Sequence, residues 1–100
     1  MEYLIVAYDG KDPEAKDRRF AARQAHLDGV EAMIKAGLFI DGGAILDESG
    51  EMIGSTLYVE FESRQELDQW LKQDPYVTGG VWVEIDVKPI RLVFRERNQS

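Results

Sequence analysis

The chain has no cysteine, and its single histidine is His26. Without cysteine there is no disulfide framework, no thiolate metal site and no thiol nucleophile. One imidazole excludes a multi-histidine metal centre within one chain. Basic side chains are few, 12 against 19 acidic ones, for a net charge of −7. Nucleic acid and anionic membrane surfaces would be repelled, so neither is expected as a partner. No apolar run approaches the ~20 residues of a spanning helix. Met1-Glu2-Tyr3 opens on an acid and is no secretory leader, so a cytoplasmic protein is expected. No GxGxxG and no lysine-bearing phosphate loop occurs, and no cofactor is expected. With 100 residues there is room for one core. Residues 1–94 are expected to form it, with 95–100 as a polar, frayed tail.

What is present reads as alternating strands and helices. Tyr3 to Tyr8 is a short apolar run ending at Asp9-Gly10, as a strand entering a loop does. Asp12 suits an N-cap and Pro13 the first helical position, so the spacing predicts a helix from there to about Ala36, stopped by Gly37. Leu38-Phe39-Ile40 opens a second strand, which Gly42-Gly43 should interrupt or bulge before Ala44-Ile45-Leu46. Asp47 to Gly50 is a hairpin turn, and Met52 to Phe61 a third strand. Ser63 and Glu66 form a capping-box pattern before a second helix that Asp74-Pro75 ends. Val81, Val83, Ile85 and Val87 alternate with polar residues as a half-buried strand should. Beyond Pro89 the apolar phase slips by one, which places Pro89 at a bulge or on an edge.

The order β-α-β-β-α-β is the ferredoxin-like arrangement of the α+β class, with an antiparallel sheet. Right-handed crossovers put both helices on one face. The first strand is apolar at both parities: Tyr3, Ile5 and Ala7 on one side, Leu4, Val6 and Tyr8 on the other. Such a strand needs cover on both faces, and the helices cover one. A homodimer packed through the open sheet face is therefore expected, with a moderately apolar monomer as the alternative.

The first helix carries the candidate chemistry. At about 100° per residue, Phe20, Leu27, Val30 and Ile34 share an arc that should face the sheet. Arg19, Arg23 and His26 fall in or beside that arc. A buried arginine needs an acid or a bound anion, so these residues mark a cleft for an anionic or polar ligand. The competing reading has both arginines snorkelling to water and His26 making one structural hydrogen bond. An imidazole becomes a useful base when a carboxylate fixes its tautomer. Asp74 is the best local partner, Asp9 and Asp41 are competitors, and Asp74 could equally serve only its Asp-Pro turn. Ser55 lacks a GxSxG elbow and reads as a plain strand residue. Tyr76 and Trp82 read as core or interface aromatics.

Several segments in order resemble the YCII-related (YciI-like) family: Arg23-Gln24-Ala25-His26-Leu27, Gly54-Ser55-Thr56-Leu57, Phe61-Glu62-Ser63, Asp74-Pro75-Tyr76-Val77, Gly79-Gly80-Val81 and Val87-Lys88-Pro89-Ile90. The resemblance runs from about Tyr3 to Phe94. It implies a dimeric α/β barrel in which two ferredoxin-like sheets pack face to face. It also implies a site of His26, Asp74 and Ser55, with Arg23 in the wall. One relative in that family is a dehydrochlorinase on a chlorinated hydroxyquinol. Where the family often shows Ala-Gly-Pro at the end of the second strand, this chain has Gly42-Gly43-Ala44, so substrate type does not transfer.

Two functional readings follow. In the first, a cofactor-independent enzyme uses the His26–Asp74 pair for acid–base chemistry of the elimination or isomerisation type. Its substrate is a small anionic molecule, aromatic ones included, held by Arg23, Arg19 and Tyr76. In the second, the chain is a non-catalytic dimeric module that binds a small ligand or accompanies a partner. A His26–Asp74 hydrogen bond opening into a pocket that exposes an arginine separates the two.

Overall fold

Alternation along the first strand sets the layout. Tyr3, Ile5, Ala7 and Asp9 are buried, while Leu4 and Val6 are half-buried and Tyr8 is exposed. One face of the strand therefore lies under the helices and the other is open. The computed structural model describes residues 1–93, so the expectations for Phe94 and for the tail 95–100 lie outside the described residues. The elements are β1 (Glu2–Asp9), α1 (Ala15–Lys35), β2 (Phe39–Leu46), β3 (Met52–Glu60), α2 (Arg64–Gln73), α3 (Pro75–Thr78) and β4 (Trp82–Ile90). The antiparallel sheet has the order β2-β3-β1-β4, with β1 central and β4 on an edge. This is the ferredoxin-like α+β architecture, with one short helix, α3, added after Asp74. No helix among the described residues is long and apolar enough to cross a membrane.

The core joins the sheet's covered face to the helices: Ile5, Leu57 and Val59 meet Met33, Leu67 and Tyr76. Ser63 caps α2 as its pattern predicts, its Oγ accepting from the Glu66 N–H at 3.2 Å. Gly37 (φ +76°) follows the end of α1 in the left-handed conformation that glycine adopts without strain.

Four local expectations are corrected. First, α1 starts at Ala15 with Glu14 as N-cap, and not with Asp12 and Pro13. Both Asp12 carboxylate oxygens take Arg18 N–H groups, at 2.6 and 2.8 Å, which leaves that side chain unavailable as a cap. The Arg18 guanidinium also holds the Asp12 carboxyl well below its usual range.

Second, the buried stripe of α1 is Ala15, Arg19, His26 and Met33, with Ala22 partly buried. It is rotated by roughly 90° from the arc of Phe20, Leu27, Val30 and Ile34. Phe20 is 82% exposed and Ile34 55% exposed. Two polar side chains with buried partners, rather than the apolar residues, decide which way this helix faces.

Third, Gly42-Gly43 do not break β2. The register shifts lie on either side of them, between Phe39 and Asp41 and between Ile45 and Leu46. Gly42 instead permits close backbone approach, since a Cβ there would sit 2.5 Å from the Thr56 carbonyl oxygen.

Fourth, β4 bulges near Val83, while Pro89 pairs with Tyr3 in unbroken register and takes the edge position, one of the two places expected for it. That bulge and the edge position leave Val83 60% and Ile85 38% exposed, where half-burial was expected.

Candidate active site

Two elements bring an imidazole and a carboxylate together. His26 comes from the buried stripe of α1. Asp74 sits at the junction of α2 and α3, where its extended backbone (φ −65°, ψ 135°) ends one helix and caps the next. Its Oδ2 accepts the Tyr76 N–H at 2.9 Å. The same carboxylate meets His26 Nδ1 at 2.9 and 3.1 Å. A carboxylate can only accept here, so Nδ1 carries a proton and, in the neutral ring, Nε2 is the acceptor. Among the described residues no hydrogen bond engages Nε2. The ring is fixed from its faces as well. It stacks on Tyr76 at 3.9 Å between centroids with 9° between planes, and Trp82 meets it edge-on at 5.5 Å. Burial pushes the Tyr76 phenol pKa above its ordinary value of 10.0, so the stacked ring stays neutral in mildly alkaline solution.

A second polar chain runs beside the first. Arg19 Nη1 bonds both oxygens of Asp9 at 2.9 Å, and Nη2 donates to Ser55 Oγ at 3.0 Å. Trp82 Nε1 donates to the same Oγ at 3.2 Å. The guanidinium lies 5.0 Å from the Tyr76 ring centre. Arg19 and Asp9 are both nearly buried, at 6% and 8% exposure. This is the neutralised buried pair that an inward-facing arginine requires. Arg23, one turn further along α1, is exposed and makes no ion pair among the described residues.

These groups line a cavity of ≈ 280 Å³ that includes Arg19, Arg23, His26, Ser55 and Tyr76, with Gly42 and Gly43 at its β2 side. Asp74 stands behind His26 and does not line it. A larger cavity of ≈ 650 Å³ lies beyond Asp9, among Lys11, Lys16 and Glu84. It includes neither His26 nor Asp74, so the smaller one is the cavity that the His26–Asp74 pair adjoins. No group of three His, Cys, Asp or Glu side chains suited to a metal occurs among the described residues.

Five of the six residues singled out from sequence, Arg19, His26, Ser55, Asp74 and Tyr76, thus fall within one connected network, and Arg23 lines the cavity beside it. Of the competitors for His26, Asp9 serves Arg19, and Asp41 bonds the adjacent Gly42 N–H at 2.8 Å. Two members of the network were not predicted as site residues, Asp9 as the counter-charge of Arg19 and Trp82 as a donor to Ser55. The signal for Asp9 was available, because β1 alternation (Tyr3, Ile5, Ala7, Asp9) carries it onto the covered face. Nothing local marked Trp82, whose position depends on the bulge in β4.

The model of the YCII-related domain matches residues 1–91. An uncharacterised protein of Haemophilus influenzae is 35% identical over 100 residues, covering 94% of this chain and 100% of the relative. Protein YciI of Escherichia coli is 33% identical over the same shares. Among solved structures, the 5-chloro-2-hydroxyhydroquinone dehydrochlorinase of Burkholderia phenoliruptrix, in complex with 2,5-dihydroxybenzoquinone, superposes with a TM-score of 0.79. It is 25% identical, with 91% of this chain and 94% of that one covered. A protein of Nitrosomonas europaea, 12% identical at a TM-score of 0.53 over 94% of this chain and 90% of that one, shares the fold alone.

Proposed function

The chain belongs to the YCII-related family, and from that premise we propose that it is a cofactor-independent acid–base enzyme acting on a small anionic, oxygen-bearing ring. The observation that carries this reading is the His26–Asp74 hydrogen bond behind a cavity that also presents Arg23. His26 Nε2 is the base. Asp74 holds the tautomer and balances the imidazolium as it forms. Arg23 supplies the charge that receives a developing oxyanion. Arg19 is already neutralised by Asp9, so its contribution passes through Ser55.

Elimination of a halide suits this inventory. Two hydroxyl protons leave their oxygens, one of them passing to the chlorine-bearing ring carbon, and chloride departs from that carbon as the ring passes to the quinone level. The net change is loss of HCl, and no external oxidant is needed. The bound quinone in the Burkholderia enzyme supports a ligand of that kind. The test is chloride release from 5-chloro-2-hydroxyhydroquinone, followed with a chloride electrode, beside calorimetric titration with 2,5-dihydroxybenzoquinone. Turnover above the buffer rate is expected. Binding without turnover would favour the non-catalytic module, and neither would contradict both readings.

The open sheet face carries Leu4, Val6, Tyr8, Thr56 and Tyr58, with Leu4 opposite Tyr58 and Val6 opposite Thr56. We propose that a second copy of the chain covers it. Sedimentation at micromolar concentration should show a species of twice 11.4 kDa, and a lone 11.4 kDa species would contradict the dimer.

A further inference from the structure

Ser55 has an unusual set of neighbours for a serine at a reactive site. Its Oγ accepts from two groups, Arg19 Nη2 at 3.0 Å and Trp82 Nε1 at 3.2 Å. Guanidinium and indole N–H groups donate only. Both acceptor positions of the hydroxyl are therefore filled, and its hydrogen cannot point at either neighbour. It must take the remaining tetrahedral direction. Among the described residues nothing accepts it. Ser55 is 4% exposed, yet it lines the cavity that His26 and Arg23 line. The arrangement is held from behind: Asp9 fixes Arg19 through both carboxylate oxygens, and β4 fixes Trp82.

The geometry points to Ser55 as a fixed hydrogen-bond donor that reads an acceptor oxygen, a carbonyl or an oxyanion, on the ligand. It is not a nucleophile. A nucleophilic hydroxyl needs a free lone pair and a base to take its proton. Here the lone pairs are engaged, and the base, His26, makes no bond to it. Arg19 and Trp82 are positioning residues that act through Ser55. The cleft then offers a donor at Ser55, a cation at Arg23 and one acceptor at His26 Nε2. That set selects a molecule with a proton to give beside oxygens that only accept, as in a hydroxyquinone or another enolised ketone. It discriminates against amines and other cations, which have no acceptor for Ser55 and are repelled by Arg23. The inference deepens the acid–base reading and rests on its choice of cleft.

The test uses 2,5-dihydroxybenzoquinone as probe, with affinity from calorimetry and the bound carbonyl band from infrared difference spectra. Ser55→Ala should weaken the probe about 10- to 100-fold, as loss of a hydrogen bond to a charged acceptor does. It should also move the carbonyl band to higher wavenumber, which a merely structural role would not do. If Ser55→Ala does not fold, Ser55→Cys keeps the shape with a weak donor and should show the same directions. Amines of similar size should not bind the wild type. Unchanged affinity and an unchanged band in the Ser55 variant, with a weakened His26→Asn, would overturn the donor role and leave the base intact. Weakening by Ser55→Ala with His26→Asn unaffected would uphold the donor and remove the base. A wild type that ignores the probe overturns both, and a covalent adduct on Ser55 overturns the donor role directly.

Discussion

His26→Asn is expected to cut chloride release from 5-chloro-2-hydroxyhydroquinone by about 10²- to 10⁴-fold, the usual worth of a positioned general base. The choice of asparagine matters. Its amide N–H can replace Nδ1–H as the donor to Asp74, so the buried carboxylate keeps its second partner beside the Tyr76 N–H. Alanine would leave that carboxylate, 4% exposed, with the backbone donor alone, and would mix loss of stability with loss of chemistry. Asparagine has no basic nitrogen to offer the cleft. The decrease should therefore fall on kcat, with an unfolding midpoint close to the wild type. An equal loss of activity and of folded protein would mean that His26 is structural.

Asp9→Ala should destabilise the fold by about 3 kcal/mol, read from denaturant unfolding, because it leaves a buried guanidinium without its counter-charge. The figure sits at the low end of the range for broken buried pairs for a structural reason. Asp9 also borders the ≈ 650 Å³ cavity, from which water can reach part of the vacated space. Ser55 and the Tyr76 ring remain to hold Arg19, and neither carries charge. The double variant Asp9→Ala with Arg19→Met should recover a large part of the loss, since an apolar pair of similar volume costs little to bury. A double variant as unstable as the single one would show that cavity formation, and not the stranded charge, sets the cost.

The arrangement of elements was legible because period-two and cap signals act over a few residues. The apolar run of β1, the Ser63 cap and the Asp74-Pro75 break are all read locally, and each appears in the structure. The facing of α1 was not. A count of apolar residues selects Phe20, Leu27 and Ile34, whereas the helix is turned by two long-range polar contacts, Arg19 to Asp9 and His26 to Asp74. Apolar periodicity has no term for such partners. Of the two places offered for Pro89 the edge holds and the bulge does not, because a phase slip in sequence is also produced by an edge strand whose outer residues are uncovered. The six site residues were named from helix spacing, the Asp-Pro turn and family resemblance. What sequence could not supply is the division of labour among them. Arg19 and Arg23 are one turn apart and look equivalent, yet one is buried on Asp9 and the other is free to meet a ligand.

In the proposed mechanism His26 presents an unprotonated Nε2 to the cleft while Asp74 holds its Nδ1 proton. Long-range ¹H–¹⁵N correlation spectra of the imidazole at neutral pH measure this directly, and one histidine leaves no assignment ambiguity. That mechanism is expected to show a protonated Nδ1, a pyridine-type Nε2, and a shift confined chiefly to Nε2 when 2,5-dihydroxybenzoquinone is added. A proton resident on Nε2 with Nδ1 bare, or a ring unmoved by saturating quinone, would contradict it.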